Sequence, residues 1–163
     1  MKIFFDTEFI EDGKTIDLIS IGMVREDGLA YYAENRECDL AKANRWVKEN
    51  VLEHLKGGNH LANRLEIADE IKRFVGKDPE FWAYYADYDW VALCQLYGTM
   101  MDLPKGWPMY CRDLKQLQDE NFPNFKYPSQ EGTEHNALDD AKHNRKCYLE
   151  MTTLKTLSIK TEE

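Results

Sequence analysis

The hydrophobic and polar positions change period along the chain, and each period predicts an element. The first third contains short apolar, β-branched blocks typical of strands, and Asp27-Gly28 between two of them is typical of a tight hairpin. From residue 43, apolar residues recur at three- and four-residue spacing, which is helical. The predicted strands are Lys2–Phe5, Leu18–Arg25, Leu29–Ala33, Glu80–Ala86 and Met109–Arg112, and the predicted helices are Ala43–Leu55, Leu65–Val75, Trp90–Met101, Leu114–Gln118 and Asn136–Leu157.

The order of these elements predicts an α/β fold. Strands come first and then alternate with helices, which implies one mixed sheet with helices packed on its faces. Asn121–Glu134 carries two prolines, one glycine and no clean period, so we expect a long loop there. We expect one domain over residues 1–157, followed by a polar tail over residues 158–163.

Composition narrows the possible functions. The chain has 163 residues, 43% of them hydrophobic and 12% aromatic, which is enough apolar surface for a sizeable core. The 21 basic and 30 acidic residues give a net charge of −9, which argues against broad adhesion to nucleic acid or anionic membranes. A nucleic-acid substrate stays possible, because bound divalent cations invert the local field.

The sequence predicts an intracellular, cytoplasmic protein. No apolar run approaches the ~20 residues that a bilayer requires, and the N-terminus lacks the apolar stretch of a secretory signal. Four widely spaced cysteines, without a CxxC pair, are expected to be small buried hydrophobic residues in a reducing compartment.

Three acidic clusters are candidates for chemistry. Asp6 and Glu8 follow the first predicted strand, and side chains two apart on a strand point to the same face. Asp87 and Asp89 follow the apolar strand that ends near Ala86, at the strand end where open α/β sheets bind ligands. The third cluster, His135 with Asp139 and Asp140, lies where the long loop meets the final helix.

Each cluster also has a purely structural explanation. The first acids can be a solvated strand end, one aspartate of the second pair can be a helix N-cap, and the third pair suits the helix dipole. Together the clusters predict more: four carboxylates and one histidine around a pair of divalent cations. Mg²⁺ and Mn²⁺ prefer such oxygen ligands, and a histidine near its ordinary pKa can accept a proton from attacking water.

The motifs Asp6-x-Glu8, Tyr88-Asp89 and His135-x-x-x-x-Asp140 resemble those of the DEDDh 3′–5′ exonucleases. Within that family, Phe5–Gly13 and Tyr88–Leu96 are most similar to the ribonuclease AS-like exoribonucleases, which act on adenylated RNA. The resemblance implies a ribonuclease-H-like, five-stranded mixed sheet in which strand two is antiparallel. It further implies 3′–5′ removal of 5′-mononucleotides from single-stranded RNA and a homodimer.

The resemblance also assigns roles residue by residue. Four carboxylates would bind two Mg²⁺ ions, which Mn²⁺ could replace. His135 would be the general base, and two further residues would line the 3′-terminal nucleotide. The implied metal ligands are Asp6, Glu8, Asp89 and Asp140, and the implied nucleotide-binding residues are Thr7 and Phe9. In this assignment Asp87 and Asp139 are bystanders.

For residues outside the motifs, the sequence does not decide which of them contact the substrate. Lys126, Lys142, Arg145 and Lys146 are either solvated surface or contacts to the substrate. The aromatic residues Phe9, Tyr85, Tyr88 and Trp90 are either core residues or stacking partners for bases.

Three alternative functions also remain. They are a 3′–5′ exonuclease acting on single-stranded DNA, an inactive nucleic-acid-binding module of the same fold, and a different metal-dependent hydrolase such as an endonuclease. The binding module would lack one of the five motif residues, and all five are present in this sequence.

Overall fold

The computed structural model describes residues 1–160 and contains a six-stranded mixed sheet. Its strands, in the spatial order β4-β3-β2-β1-β5-β6, are β1 (Lys2–Glu11), β2 (Ile16–Arg25), β3 (Ala30–Asn35), β4 (Leu61–Ala62), β5 (Glu80–Ala83) and β6 (Arg112–Asp113). Strand β2 is antiparallel to β1 and β3, and the other neighbouring pairs are parallel. The class and the reversed second strand agree with the prediction. The sixth strand is β4, whose two residues are too few to give a sequence pattern.

Five α-helices cover the sheet: α1 (Arg45–Asn50), α2 (Arg64–Val75), α3 (Asp87–Gln95), α4 (Leu114–Asn121) and α5 (Ala137–Lys160). The helix predicted over Ala43–Leu55 is α1 followed by a separate 3₁₀ turn at Leu52–His54. The helix predicted over Trp90–Met101 begins earlier and ends at Gln95. Residues 158–160 of the predicted tail continue α5, whereas residues 161–163 lie outside the described residues. Across residues 1–160, no helix is both long and apolar enough to span a bilayer.

Strand boundaries differ most where the candidate site lies. Strand β1 continues to Glu11, beyond the predicted end at Phe5, because β2 pairs with it along its whole length. The predicted strand Glu80–Ala86 ends at Ala83, and Tyr85 adopts a left-handed backbone with φ of 53°. The predicted strand Met109–Arg112 is shifted to Arg112–Asp113. The Asp27-Gly28 hairpin forms as predicted, with Gly28 at φ 92°.

Alternation along β1 divides the core between the two faces of the sheet. Ile3 and Phe5 pack on one face with residues of α2 and α3. Phe4 packs on the opposite face with Leu114 of α4 and Met151 of α5. Odd-numbered residues of β1 therefore face α3 and even-numbered residues face α5.

Gly22 allows the N-terminus of α5 to lie directly on the sheet. A Cβ atom at this position would stand 2.3 Å from the backbone of Ala137 and Leu138, far inside van der Waals contact. Gly22 is also the register partner of Asp6 on the neighbouring strand. The absence of a side chain on β2 thus sets how close the first turn of α5 comes to the acidic part of β1.

Candidate active site

The structure brings all seven predicted site residues to the wall of one cavity of about 360 Å³. They come from four places: the middle of β1, the first turn of α3, the segment just before α5 and the first turn of α5. These residues are Asp6, Thr7, Glu8, Phe9, Asp89, His135 and Asp140. Carboxylate oxygens of Glu8 and Asp140 and a ring nitrogen of His135 lie within 4.8 Å of one another.

Asp89 is fixed by the backbone and side chain of Thr7. Its Oδ1 accepts hydrogen bonds from the Thr7 N–H (2.8 Å) and from the Thr7 hydroxyl (2.5 Å). The N–H is available because β5 pairs with β1 only as far as Phe4, which leaves that edge of β1 without a strand partner at Thr7. Thr7 therefore lines the cavity, as the sequence predicts, but its hydroxyl is bonded to a carboxylate.

Asp140 and His135 are held together at the start of α5. The His135 N–H donates to Asp140 Oδ2 (3.1 Å), and Gln130 Nε2 donates to Asp140 Oδ1. His135 has a left-handed backbone with φ of 61°, a strained conformation for a residue with a side chain. The Trp46 ring lies edge-on against its imidazole, with centroids 4.8 Å apart. These contacts fix the imidazole beside the carboxylates.

Burial raises the pKa of every carboxylate in the group, and mutual repulsion adds to this at Asp6 and Glu8. Burial, followed by the charges of Asp89, Asp140 and Glu8, raises the pKa of Asp6 well above its ordinary value. Burial and the nearby Asp140 and Asp89 raise the pKa of Glu8 to about 8. Burial also raises the pKa of Asp89, to about 7, and that of Asp140. Ionising all four acids together is therefore unfavourable unless positive charge is placed among them.

This donor set fits divalent cations. No lysine or arginine among the described residues lines the cavity, so no side-chain cation compensates the acids. Within residues 1–160, neither the Asp6 nor the Glu8 carboxylate accepts a hydrogen bond, which leaves their oxygens available as ligands. Oxygen donors of this kind suit Mg²⁺ or Mn²⁺.

Aromatic side chains form the rest of the cavity wall. The Phe9 and Tyr88 rings stack, with centroids 5.8 Å apart and planes at 10°. Tyr85 and Tyr88 are exposed wall residues, whereas Trp90 packs against Phe81 in the core. Trp46, which lies within the predicted helix Ala43–Leu55, is 52% exposed and lines the cavity. The helical spacing of apolar residues does not distinguish a cavity-lining tryptophan from a packed one.

Two aspartates that the resemblance makes bystanders lie away from the cavity. Asp87 is exposed at the start of α3. Asp139 accepts hydrogen bonds from the Thr133 N–H and from Lys142 Nζ. Asp89 lies two residues after Asp87, and Asp140 directly follows Asp139. Both line the cavity because each lies on the side of its helix that packs toward β1.

Three of the four candidate basic residues have partners within the protein. Lys142 pairs with Asp139, Lys146 pairs with Glu131, and Arg145 donates to the Glu26 carbonyl. Basic side chains therefore do not form a free cationic rim beside the cavity at these three positions.

Known exoribonucleases are similar to this chain over most of its length. The family model described as the 3′–5′ exoribonuclease Rv2179c-like domain matches residues 1–152. The 3′–5′ exoribonuclease Rv2179c of Mycobacterium tuberculosis strain H37Rv is 44% identical over 149 residues, covering 87% of this chain and 88% of that protein. The 3′–5′ exoribonuclease MT2234.1 of strain CDC 1551 matches to the same extent.

Solved structures share the fold at low sequence identity. S. pombe Pop2p, in a Mg²⁺- and Mn²⁺-bound form, superposes with a TM-score of 0.65 at 13% identity, over 92% of this chain and 82% of Pop2p. Exonuclease I superposes with a TM-score of 0.61 at 11% identity, over 89% of this chain and 39% of that one. Both similarities confirm the ribonuclease-H-like exonuclease fold.

Proposed function

The chain belongs to the Rv2179c-like 3′–5′ exoribonuclease domain family and is an enzyme of that class, and from this premise we propose a two-metal-ion hydrolysis of adenylated single-stranded RNA. The observation that carries the proposal is the group of four carboxylates and one histidine around a single cavity. The whole span 1–157 acts as one catalytic domain, and we expect it to work as a cytoplasmic homodimer.

Four carboxylates are the proposed metal ligands. Asp6 and Glu8 present oxygens from β1, Asp140 from α5, and Asp89 presents the oxygen that Thr7 leaves free. The cations, when bound, supply positive charge to the scissile phosphate and to the attacking and leaving oxygens. Support for Mg²⁺ or Mn²⁺ comes from the donor set and from Pop2p, which carries both ions.

His135 is the proposed general base. The hydrolysis consumes one water molecule: the bond from phosphorus to the 3′-oxygen breaks, phosphorus gains a hydroxyl group, and the leaving oxygen ends with a proton. The His135 imidazole accepts the proton that the attacking water releases. Its backbone hydrogen bond to Asp140 and its contact with Trp46 orient the ring for this transfer.

Aromatic side chains are proposed to bind the 3′-terminal nucleotide. Phe9 lies in the cavity beside the carboxylates, stacked on Tyr88, and Thr7 lies at the base of the same wall. Stacking on these rings gives affinity without a cationic groove, and purines stack over a larger area than pyrimidines. This agrees with a preference for purines, adenosine among them.

A digest of 5′-labelled oligonucleotides tests the proposal. With Mg²⁺ or Mn²⁺ we expect a ladder that shortens from the 3′ end, fastest on poly(A) and absent with chelator. Asp89→Asn should lower the rate about a thousandfold or more, because a ligand of the charge-stabilising ions is lost. The matched control is Asp87→Asn, an exposed aspartate on the same helix, which should keep the wild-type rate.

Two results would overturn this function. The first is a wild-type rate in Asp89→Asn with Mg²⁺ present, which would exclude the ligand assignment. The second is cleavage of single-stranded DNA faster than of any RNA, which would favour the DNA exonuclease instead.

A further inference from the structure

A second cavity of about 340 Å³ lies against the first. The two cavities have four wall residues in common, namely Asp6, Tyr84, His135 and Asp140. The rest of the second wall comes from the loop before α5 and from α5 itself, and consists of Tyr127, Gln130, Glu134, His143 and Asn144. Asp6 and Asp140, two of the proposed ligands of the cations at the reacting phosphate, therefore stand between the two cavities.

The chemistry of the second wall selects against a phosphate as occupant. No lysine or arginine among the described residues lines it, and it carries the carboxylates of Asp6, Glu134 and Asp140. Carboxylate and amide oxygens accept hydrogen bonds from hydroxyl and amino groups. Such a wall suits a neutral ligand with donor groups.

Tyrosine rings give the second cavity an aromatic side. Tyr84 lies between the two cavities, with the Tyr85 ring 4.3 Å from it on one side and the Tyr127 ring 5.2 Å from it on the other. Tyr85 lines only the first cavity and Tyr127 only the second. An aromatic ring is thus available on each side of the carboxylates.

A phosphodiester has a nucleoside on both sides of its phosphorus atom. With the scissile phosphate at the carboxylates and the terminal nucleoside in the first cavity, the other nucleoside must leave the cluster on the opposite side. We propose that the second cavity binds the nucleoside immediately 5′ of the scissile phosphate, with its base stacked on Tyr127. This inference rests on the proposed function, which supplies the position of the terminal nucleotide.

The wall that carries Tyr127 is tied to the catalytic group. The Tyr127 hydroxyl donates to the Leu114 carbonyl (3.4 Å), and Gln118 Nε2 donates to the Phe125 carbonyl (2.9 Å). Further along the same loop, Gln130 donates to Asp140. The loop is therefore anchored at α4 and at a proposed metal ligand, which places the bound nucleoside relative to the reacting phosphate.

The test compares two oligoadenylates that differ only at the penultimate position, where one lacks the base. Wild-type kcat/KM should be about five- to 150-fold lower on the abasic RNA, the range that stacking one base on an aromatic ring contributes. Tyr127→Leu should lower kcat/KM on the complete RNA by a similar factor and should no longer distinguish the two RNAs. Tyr127→Phe, which keeps the ring and loses only the hydroxyl bond to Leu114, should still distinguish the two RNAs.

The inhibition constant of 5′-AMP separates the two cavities, because AMP needs only the terminal site. It should be the same in wild type, Tyr127→Leu and Tyr127→Phe, whereas Phe9→Leu should raise it. Equal wild-type rates on the two RNAs would overturn the inference and leave the proposed function standing, and this comparison needs no variant. A weaker AMP constant in Tyr127→Leu would also overturn it, by placing the terminal nucleotide in the second cavity. Wild type that cleaves neither RNA would overturn the proposed function and the inference with it.

Discussion

Thr7 and Asp89 show how a single residue pair prepares the site. Alternation places Thr7 on the α3 face of the sheet, opposite Asp6 and Glu8, so its side chain meets Asp89. Both Thr7 donors bond to the same carboxylate oxygen, which fixes the carboxylate and leaves its other oxygen for a ligand. Hydrogen bonds to charged groups of this kind stabilise by about 1.5–3 kcal/mol.

Removing the Thr7 hydroxyl should therefore weaken cation binding. We expect Thr7→Val to lower Mn²⁺ affinity about tenfold, because outer partners of metal ligands typically change affinity by about 10–100-fold. Thr7→Ser keeps the hydroxyl and should restore most of the affinity. Titration calorimetry with Mn²⁺ alone measures this without any turnover. Wild-type affinity in Thr7→Val would exclude the positioning role.

The raised pKa of Glu8 makes the stability of the fold depend on pH when chelator removes the cations. Its folded-state pKa of about 8 lies above the ordinary value of 4.5, so the folded state binds the proton more tightly than the unfolded state. The resulting stabilisation is complete below about pH 4.5 and is lost as the pH rises toward 8, by on the order of 5 kcal/mol. Thermal unfolding in chelator should thus occur at a lower temperature at pH 8 than at pH 6.

Glu8→Gln is the matched variant for this effect, since it keeps the shape and removes the charge. It should unfold at a higher temperature than wild type at pH 8 in chelator, and Mg²⁺ should stabilise it less. A pH-independent difference between the two proteins would contradict the repulsion argument.

At the scale of elements, the contact between β2 and α5 sets the geometry of the site. The first turn of α5 carries Asp140 and follows His135, and it can approach β1 only because Gly22 has no side chain. Gly22 has no left-handed backbone, so its role is steric. The positions of His135 and Asp140, two residues of the proposed catalytic group, thus depend on a glycine outside that group.

Gly22→Ala should displace the start of α5. We expect a loss of stability of about 1–3 kcal/mol, as for other overpacked sites, together with at least a tenfold drop in kcat. Ser20→Ala, two residues earlier on the same strand, adds no atom and should leave kcat unchanged. Thermal unfolding and RNA turnover measure the two effects. Wild-type kcat in Gly22→Ala would show that α5 tolerates the shift.

At the scale of the whole molecule, the charge distribution implies weak electrostatic capture of RNA. The net charge is −9, the two cavities have no lysine or arginine among their described wall residues, and Lys142, Arg145 and Lys146 are engaged within the protein. In the proposed function, RNA binding then depends on the cations and on stacking, which both act on the last nucleotides of the strand.

The salt dependence of RNA cleavage checks this conclusion. Between about 50 and about 200 mM KCl at saturating Mg²⁺, kcat/KM on a long RNA should fall less than about tenfold, which corresponds to one or two phosphate contacts. A decrease of about a thousandfold would instead indicate a basic track with many phosphate contacts. The inhibition constant of AMP serves as a control for salt effects on the terminal site.

The sequence by itself determined the fold class and the seven residues that meet at one cavity. Its resemblance to a known family also gave the reversed second strand. Strand alternation and motif spacing are local or pairwise, so a single chain carries them. The hairpin at Asp27-Gly28 could also be predicted from the sequence, because a tight turn is specified by its own residues.

Only the tertiary structure decided the rest. The extension of β1 through Asp6 and Glu8 depends on pairing with β2, which overrides the polar composition of that stretch. The role of Trp46 depends on contact with His135, 89 positions later in the chain, a proximity that no local period encodes. The same holds for the cavity behind Tyr127, since its walls are distant in sequence and become neighbours only when the loop and α5 pack on the sheet.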